Sequence, residues 1–191
     1  KVPDPRVEHL ARVYKPKKKT LAEITFCDLL AGGGASKGFD AQAVAAMKTM
    51  EALGIVVECP EGSGDAERDE AARKALRDVV TELTLSDLVI AEKRLERIRK
   101  EKTSEADKRA IERAHGALSE EKPLRVVSFA PDEENVLPNY QFLTRKPSIV
   151  VANLRESDLG KPLPGLEAEA KRLGMPFVAL CAALEREIAL L

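Results

Sequence analysis

The side chains with the clearest chemical potential in this sequence stand directly after short apolar runs. Asp28 follows Phe26 and Cys27 and precedes the glycine-rich stretch Gly32–Gly38. An aspartate at the end of a strand can hold Mg²⁺ through water, and glycine amides can face a phosphate group. The same aspartate is equally typical of a turn or a helix cap, so both interpretations stay open.

A second set follows the apolar run at 149–152. Asn153 and Glu156 are three residues apart, so the amide could meet a purine ring nitrogen and the carboxylate an exocyclic amine. A helix-capping role fits the same pair equally well. A third set, Cys181 and Ala182, lies at the end of another apolar run. Backbone amides there could contact the same base from behind.

The glycine-rich stretch is not a phosphate-binding loop of the Walker type. That loop requires Gly-Lys followed by Ser or Thr, between a strand and a helix. The order here is Ser36-Lys37-Gly38, and no other segment of the 191 residues fits. The usual device that cradles the β- and γ-phosphates is therefore missing from this sequence.

These residues depend on a fold in which short buried strands alternate with helices. Apolar runs predict strands at 22–30, 55–59, 148–152 and 176–180, and strand-like composition also marks 124–129. One helix is predicted from Asp40, its cap, to Leu53 before Gly54, and others over 166–173 and 182–191. The alternation predicts an α/β fold, a mostly parallel sheet flanked by helices, with ligands at the carboxyl ends of the strands.

The longest helical signal interrupts this alternation. Apolar residues recur at steps of three or four over 76–98, and a second amphipathic stretch covers 104–118. The short polar link between them predicts an inserted antiparallel helical hairpin. We therefore divide the chain into the N-terminal part of the α/β fold (1–68), the hairpin (69–122) and the C-terminal part (123–191). The charged face of the hairpin is typical of a solvated surface, and docking on RNA or protein is the alternative.

Composition restricts the classes of function. Lys plus Arg (31) nearly cancels Asp plus Glu (32), so no overall basic field indicates nucleic-acid binding, and aromatic residues are too few (4%) for extended stacking platforms. The run Lys15–Lys19 is a local exception: it is usually a solvated loop, with RNA or phosphate as the alternative partner. No apolar run approaches the ~20 residues that span a bilayer. No signal peptide opens the sequence, so we expect a cytoplasmic protein with neither a membrane nor a DNA partner.

The cysteines and histidines indicate no metal chemistry. Cys27, Cys59 and Cys181 each lie in or at the end of an apolar run, which predicts buried reduced thiols in strands. His9 and His115 are far apart in sequence, so no zinc pattern exists.

Five stretches in order resemble the YchF-type branch of the Obg-related P-loop nucleotide hydrolases. They are Val2–Lys17 after switch I, Phe26–Gly38 in switch II, Thr81–Arg94 in the hairpin, Leu143–Glu156 around the base motif, and Cys181–Glu185 in the last nucleotide loop. The resemblance covers nearly the whole chain, and the hairpin stretch is the most specific match. It implies a P-loop-NTPase-like fold, ATP or GTP with Mg²⁺ as ligand, and the ribosome or ribosomal RNA as a partner of the hairpin.

The resemblance also implies roles for single residues. Asn153, Leu154 and Glu156 match the base motif Asn-x-x-Glu, which implies a preference for ATP. The loop that backs the base corresponds to Cys181 and Ala182, and the switch that faces Mg²⁺ and the γ-phosphate corresponds to Asp28 and Gly32.

Departures from the family pattern affect the expected activity. Ala31 stands where the family's Asp-x-x-Gly has its glycine, and the run before Ala35 is one residue short. That glycine's amide would contact the γ-phosphate. The family's first strand, P-loop and first helix, and its C-terminal TGS-type domain, have no counterpart in these residues.

The family's first strand lies between the strands predicted at 22–30 and 55–59. Without it, two strand edges lack partners, and each unpaired backbone group costs ~1–3 kcal/mol. Upstream residues, direct pairing of the two strands, or a strand donated by a partner chain would each resolve this.

The motifs and their departures from the family pattern support two functions and a simpler third. The altered Asp28 loop favours a degenerate GTPase/ATPase-like scaffold or interaction protein, with weak or no hydrolysis. The alternative is an active YchF-type ATP or GTP hydrolase that acts at the ribosome and whose P-loop lies upstream, so enzymatic activity stays open. The third is a pure interaction module, and a protein partner or dimer stays open as well.

Overall fold

The computed structural model describes residues 2–29, 38–60 and 64–191. Its helices and strands are α1 (Pro5–Tyr14), α2 (Ala41–Thr49), β1 (Leu53–Glu58), α3 (Asp65–Ile98), α4 (Glu105–Ser119), α5 (Pro131–Val136), β2 (Ser148–Asn153), α6 (Pro164–Arg172), β3 (Phe177–Leu180) and α7 (Ala182–Ala189). Short 3-10 turns are found at Leu124–Val126, Leu137–Tyr140, Leu143–Arg145 and Glu156–Asp158. None of the helices in these ranges is long and apolar enough to cross a membrane.

The three strands form one parallel sheet in the order β1-β2-β3, which confirms the predicted α/β class. The strands predicted at 55–59, 148–152 and 176–180 are confirmed to within two residues. One face of the sheet packs into a core with α3 and α6, where Ile55, Val57, Val150 and Ala152 are buried. The strand ends that were expected to carry the site therefore belong to a packed sheet.

The opposite face of the sheet is apolar and exposed in the described structure. Val56, Val151 and Val178 form one row across the three strands, beside Ile149 on the same face. Val56 is 62% exposed and Ile149 40%. Parallel sheets are ordinarily covered on both faces. The outer edge of β1 likewise has no strand partner among the described residues, so direct pairing with 22–30 is not observed there.

Two predicted strands are wrong. Residues 22–29 form neither strand nor helix, because no described strand lies alongside to supply hydrogen bonds; Ile24, Phe26 and Cys27 are exposed. The backbone at 124–129 instead enters a 3-10 turn, where Leu124 N donates to Thr144 Oγ1 at 3.1 Å rather than to a neighbouring strand.

The helix predicted from Asp40 is shorter than expected. Its cap is confirmed, since Asp40 Oδ1 accepts a hydrogen bond from Ala43 N at 2.6 Å. The helix ends at Thr49 because Met50 adopts extended backbone, and Leu53 already belongs to β1.

The 34-residue helix α3 connects two hydrophobic cores. Its first half packs against the sheet and α6, and its second half packs against α4 and the segment around α5. The residues 99–104 turn the chain from α3 into α4, which confirms the inserted helical hairpin. The predicted domain boundary at 68/69 falls inside this continuous helix.

A buried aspartate fixes the junction between the hairpin and the sheet. Asp87 is fully buried on the core-facing side of α3. Its carboxylate accepts hydrogen bonds from Leu143 N (2.8 Å), Thr144 N (2.7 Å) and Thr144 Oγ1 (2.7 Å). Burial raises the pKa of this carboxyl in spite of the hydrogen bonds from Thr144 and Leu143. One side chain therefore holds the segment that leads into β2.

Two further carboxylates join α3 to α6. Asp69 accepts hydrogen bonds from Gly165 N (2.7 Å) and Leu166 N (2.8 Å), so it caps α6 from outside that helix. Glu169, on α6, accepts hydrogen bonds from Arg172 (2.6 Å) and from Arg77 on α3 (3.0 Å). Burial by itself would raise the pKa of Glu169, but the two arginines outweigh it and lower the pKa to about 2.

Asp87→Ala is expected to destabilise the chain far more than Asp78→Ala, which removes an exposed carboxylate from the same helix. The first substitution leaves two buried N–H groups and a hydroxyl without their acceptor, and each such group costs ~1–3 kcal/mol. Urea unfolding followed by circular dichroism measures both free energies. Equal values for the two variants would contradict the role of Asp87.

Stability is also expected to fall as the pH is lowered from 4.5 towards about 2, in part through Glu169. Because its pKa is lower in the folded chain, the ionised form favours folding above pH 4.5 and this contribution is lost in acid. Urea midpoints measured across this range should show a weaker pH dependence for Glu169→Gln. Glu167→Gln, an exposed control on α6, should keep the wild-type dependence.

Candidate functional site

The carboxyl ends of β2 and β3 lie side by side and bring two of the predicted site segments together. Asn153, the last residue of β2, accepts a hydrogen bond at Oδ1 from Ala182 N at 3.1 Å. Leu154 N donates to Leu180 O at 2.7 Å and extends the pairing. The amide oxygen of Asn153 is thus occupied, whereas its NH₂ group has no hydrogen-bond partner within the described residues and remains available as a donor.

The other predicted base-side residues differ in their exposure. Leu154 and Cys181 are each only 4% exposed, so their side chains contribute packing below the site. Glu156 and Ala182 are exposed, and Glu156 begins the 3-10 turn that follows β2. The accessible groups at this edge are therefore an amide donor, a carboxylate and the backbone at the start of α7.

A buried arginine outside the set of predicted site residues holds the turn carrying Glu156. Arg68 is 2% exposed; its guanidinium lies 3.3 Å from Asp158 Oδ1 and 3.1 Å from Asp65 Oδ1. Asp158 is the last residue of that turn, and Lys161, 2.6 Å away, lowers the pKa of its carboxyl. Arg68 therefore ties the start of α3 to the chain just after the base motif.

The sequence does carry a signal for this arginine. Arg68 precedes Ala72, Leu76 and Val80 in steps of four, so it shares the helical face that enters the core. A charge on such a face must be buried and paired. Cys59, the residue after β1, is half-buried nearby; burial raises the pKa of its thiol, and the Arg68 cation partly offsets that rise.

The switch-like residues are not joined to this edge by any described contact. Asp28 is exposed, and no hydrogen bond or ion pair links it to Asn153 or Glu156 within the described residues. Gly32 lies outside the residues that the structure describes. Across 2–29, 38–60 and 64–191, no group of three His, Cys, Asp or Glu side chains is arranged to hold a metal ion.

Curated proteins match this chain over nearly its whole length. The ribosome-binding ATPase YchF of Haemophilus influenzae is 30% identical over 201 residues, which cover 98% of this chain and 55% of that protein. The protein of the same name from Pasteurella multocida is 29% identical over 200 residues, with the same coverage. Obg-like ATPase 1 of Schizosaccharomyces pombe is 28% identical over 179 residues, which cover 82% of this chain and 44% of that protein.

This chain is related to the YchF proteins. The resemblance predicted from the sequence is thereby confirmed, although no family model matches the chain. The chain spans about half the length of the curated YchF relatives it matches.

The fold agrees with the YchF relationship. The solved structure of the Schizosaccharomyces pombe YchF GTPase matches with a TM-score of 0.80, and the match covers 100% of this chain and 56% of that chain. The two are 24% identical, so this likeness shows the fold. The parallel sheet with flanking helices is that of a YchF GTPase.

Proposed function

We propose that this chain is a YchF-related protein that acts as a scaffold or interaction protein and hydrolyses nucleotide weakly or not at all. The switch II-like segment carries the proposal: Asp28 is exposed in residues that form no strand, and Ala31 replaces the glycine of Asp-x-x-Gly. Hydrolysis in this class depends on amides and cations placed around the γ-phosphate. At the carboxyl edge of the sheet, the buried cation Arg68 is already engaged by Asp158 and Asp65.

The base side supports weak binding of an adenine nucleotide. The NH₂ group of Asn153, which has no partner among the described residues, can donate to a ring nitrogen, and the exposed carboxylate of Glu156 can accept from an exocyclic amine. Adenine offers that acceptor and donor on one edge, whereas guanine offers two acceptors there. The oxygen of guanine would repel the carboxylate of Glu156, so this donor and acceptor pair favours ATP over GTP.

The active hydrolase stays the second candidate. It would bind ATP or GTP with Mg²⁺ through a phosphate-binding loop outside these 191 residues. The observation that favours it is that the curated relatives are named ATPases and this chain spans about half of their length.

The bacterial relatives are named ribosome-binding. We propose that this chain also meets the ribosome, through the tip of its hairpin. Arg99, Lys100 and Lys102, in the turn between α3 and α4, are exposed and have no ion-pair partner among the described residues. Nearby, Arg94 and Arg109 are neutralised by aspartates. Three cations without an ion-pair partner thus lie close together at the tip, where they suit the phosphates of ribosomal RNA.

Nucleotide-dependent thermal stability tests the base site. ATP with Mg²⁺ should raise the melting temperature more than GTP, because the site favours adenine. A ligand at about 100 times its Kd stabilises the folded chain by ~2.7 kcal/mol, which gives a measurable shift. Asn153→Ala should abolish this shift, because the amide donor is lost. Asn139→Ala, which removes an exposed asparagine outside the site, should retain it.

Two outcomes would change the proposal. If no nucleotide shifts the melting temperature, the base site is wrong and only the scaffold function remains. If the chain releases phosphate from ATP and Asn153→Ala slows that release, the active hydrolase replaces the scaffold.

Co-sedimentation with ribosomes tests the hairpin tip. The triple variant Arg99→Gln, Lys100→Gln, Lys102→Gln should sediment less than the wild type at low salt, and the difference should shrink at high salt. The control variant Lys74→Gln, Lys171→Gln, Arg186→Gln removes three exposed cations elsewhere and should behave as the wild type. Equal losses in the two variants would overturn the assignment to the tip.

A further inference from the structure

The N-terminal helix and the segment that follows it form an exposed surface that no other site uses. Helix α1 has no buried residue, and Leu10 and Val13 are 52% and 57% exposed. Tyr14, at the end of α1, is 76% exposed. We call α1 from Arg12 onward, together with residues 15–20, the basic strap.

Cations dominate the basic strap. Five of the eight residues from Arg12 to Lys19 are Lys or Arg, and none is acidic. Lys19 is neutralised by Glu8, with Nζ 2.5 Å from Oε1. The others, Arg12, Lys15, Lys17 and Lys18, have no ion-pair partner among the described residues.

The charges border an apolar groove. The groove has a volume of about 220 Å³; its apolar lining includes Val7, Leu10 and the Tyr14 side chain, and Lys18 and Lys19 also line it. A backbone hydrogen bond from Val2 N to Ala22 O (2.8 Å) joins the segment before α1 to the segment after the strap. A ligand there would meet a flat aromatic ring and cations together.

The backbone at Lys15 is unusual for its residue type. Lys15 adopts the left-handed conformation (φ 45°, ψ 54°) directly before Pro16. Glycine fits that conformation best, and a residue before proline normally adopts extended backbone. Lys15 therefore adopts a backbone conformation that its residue type and the following proline both disfavour, next to the exposed ring of Tyr14.

We propose that the basic strap binds a single-stranded polynucleotide, with phosphates on Lys15, Lys17 and Lys18 and one base stacked on Tyr14. Such a ligand carries regularly spaced negative charge and flat apolar faces, which are the two features that this surface complements. Lys18 and Lys19 line the groove beside its apolar wall, which favours a polyanion over an apolar peptide segment. The site is separate from the hairpin tip and needs no nucleotide at the sheet edge.

Fluorescence anisotropy with labelled oligo(U) and oligo(dT) tests the strap on the full chain. The strap variant Lys15→Gln, Lys17→Gln, Lys18→Gln should weaken binding at low salt by at least tenfold. The slope of log affinity against log salt should fall by about 2, because each single-strand phosphate contact contributes ~0.7. The control variant Lys74→Gln, Lys171→Gln, Arg186→Gln, which also lacks three exposed cations, should bind as the wild type does.

Aromatic substitutions separate stacking from charge. Tyr14→Phe should bind as the wild type, whereas Tyr14→Ala should lose about tenfold, as expected for one base–aromatic stack. Because α1 buries no residue, circular dichroism should show every variant folded. If the chain binds oligo(U) more tightly than oligo(dT), the ligand is RNA. If the two affinities are equal, the strap recognises the phosphates and bases that RNA and DNA share.

Three results would overturn the proposal. The first is no binding by the wild-type chain at low salt. The second is equal loss in the strap and control variants, which would indicate general attraction between charges. The third is displacement by polyglutamate together with wild-type affinity in Tyr14→Ala, which would indicate an acidic peptide instead.

Discussion

The arrangement of this molecule depends on the capture of two backbone amides, at residues 143 and 144, by the buried carboxylate of Asp87. Helix α3 belongs to both hydrophobic cores, and Asp87 lies where the two cores meet. The captured segment leads directly into β2, whose last residue is Asn153. The position of the candidate base site is therefore set by a polar contact on the helix that also builds the hairpin.

Other charged residues of α3 act in the same way. Asp69 caps α6, and Arg68 holds the turn that contains Glu156 and Asp158. A buried charge without a partner is strongly destabilising, so each of these contacts favours one arrangement of distant segments over others. At ~1.5 Å per residue, the 34 residues of α3 span about 50 Å. The candidate base site and the hairpin tip thus lie at opposite ends of one continuous helix.

Periodicity and apolar composition predicted what depends on local pattern: the three strands of the sheet, the hairpin, and Asn153 as a residue at a strand end. The strand that the same patterns predict at 22–30 is absent from 22–29, because an apolar run forms a strand only when a neighbouring strand supplies its hydrogen bonds. The contact between Asn153 and Ala182 depends on the order of strands in the sheet, which no local pattern encodes. Arg68 and Asp87 were missed because charged residues on a charged helix look like surface. Their place on the core-facing side is visible only when the apolar stripe is followed through them.

Net charge is the weakest of the compositional arguments in this protein. A total near zero argues against an overall basic field, yet at physiological salt charges are screened beyond ~8 Å, so a surface responds to its own cations and not to the sum. Many acids of this chain are occupied in the interior or at helix contacts, as Asp69, Asp87 and Glu169 are. Apart from Lys19, which Glu8 neutralises, the cations of the basic strap and of the hairpin tip have no such partners among the described residues. At both of these surfaces several such cations lie close together in a nearly neutral chain, and the capacity to bind polyanions depends on that clustering.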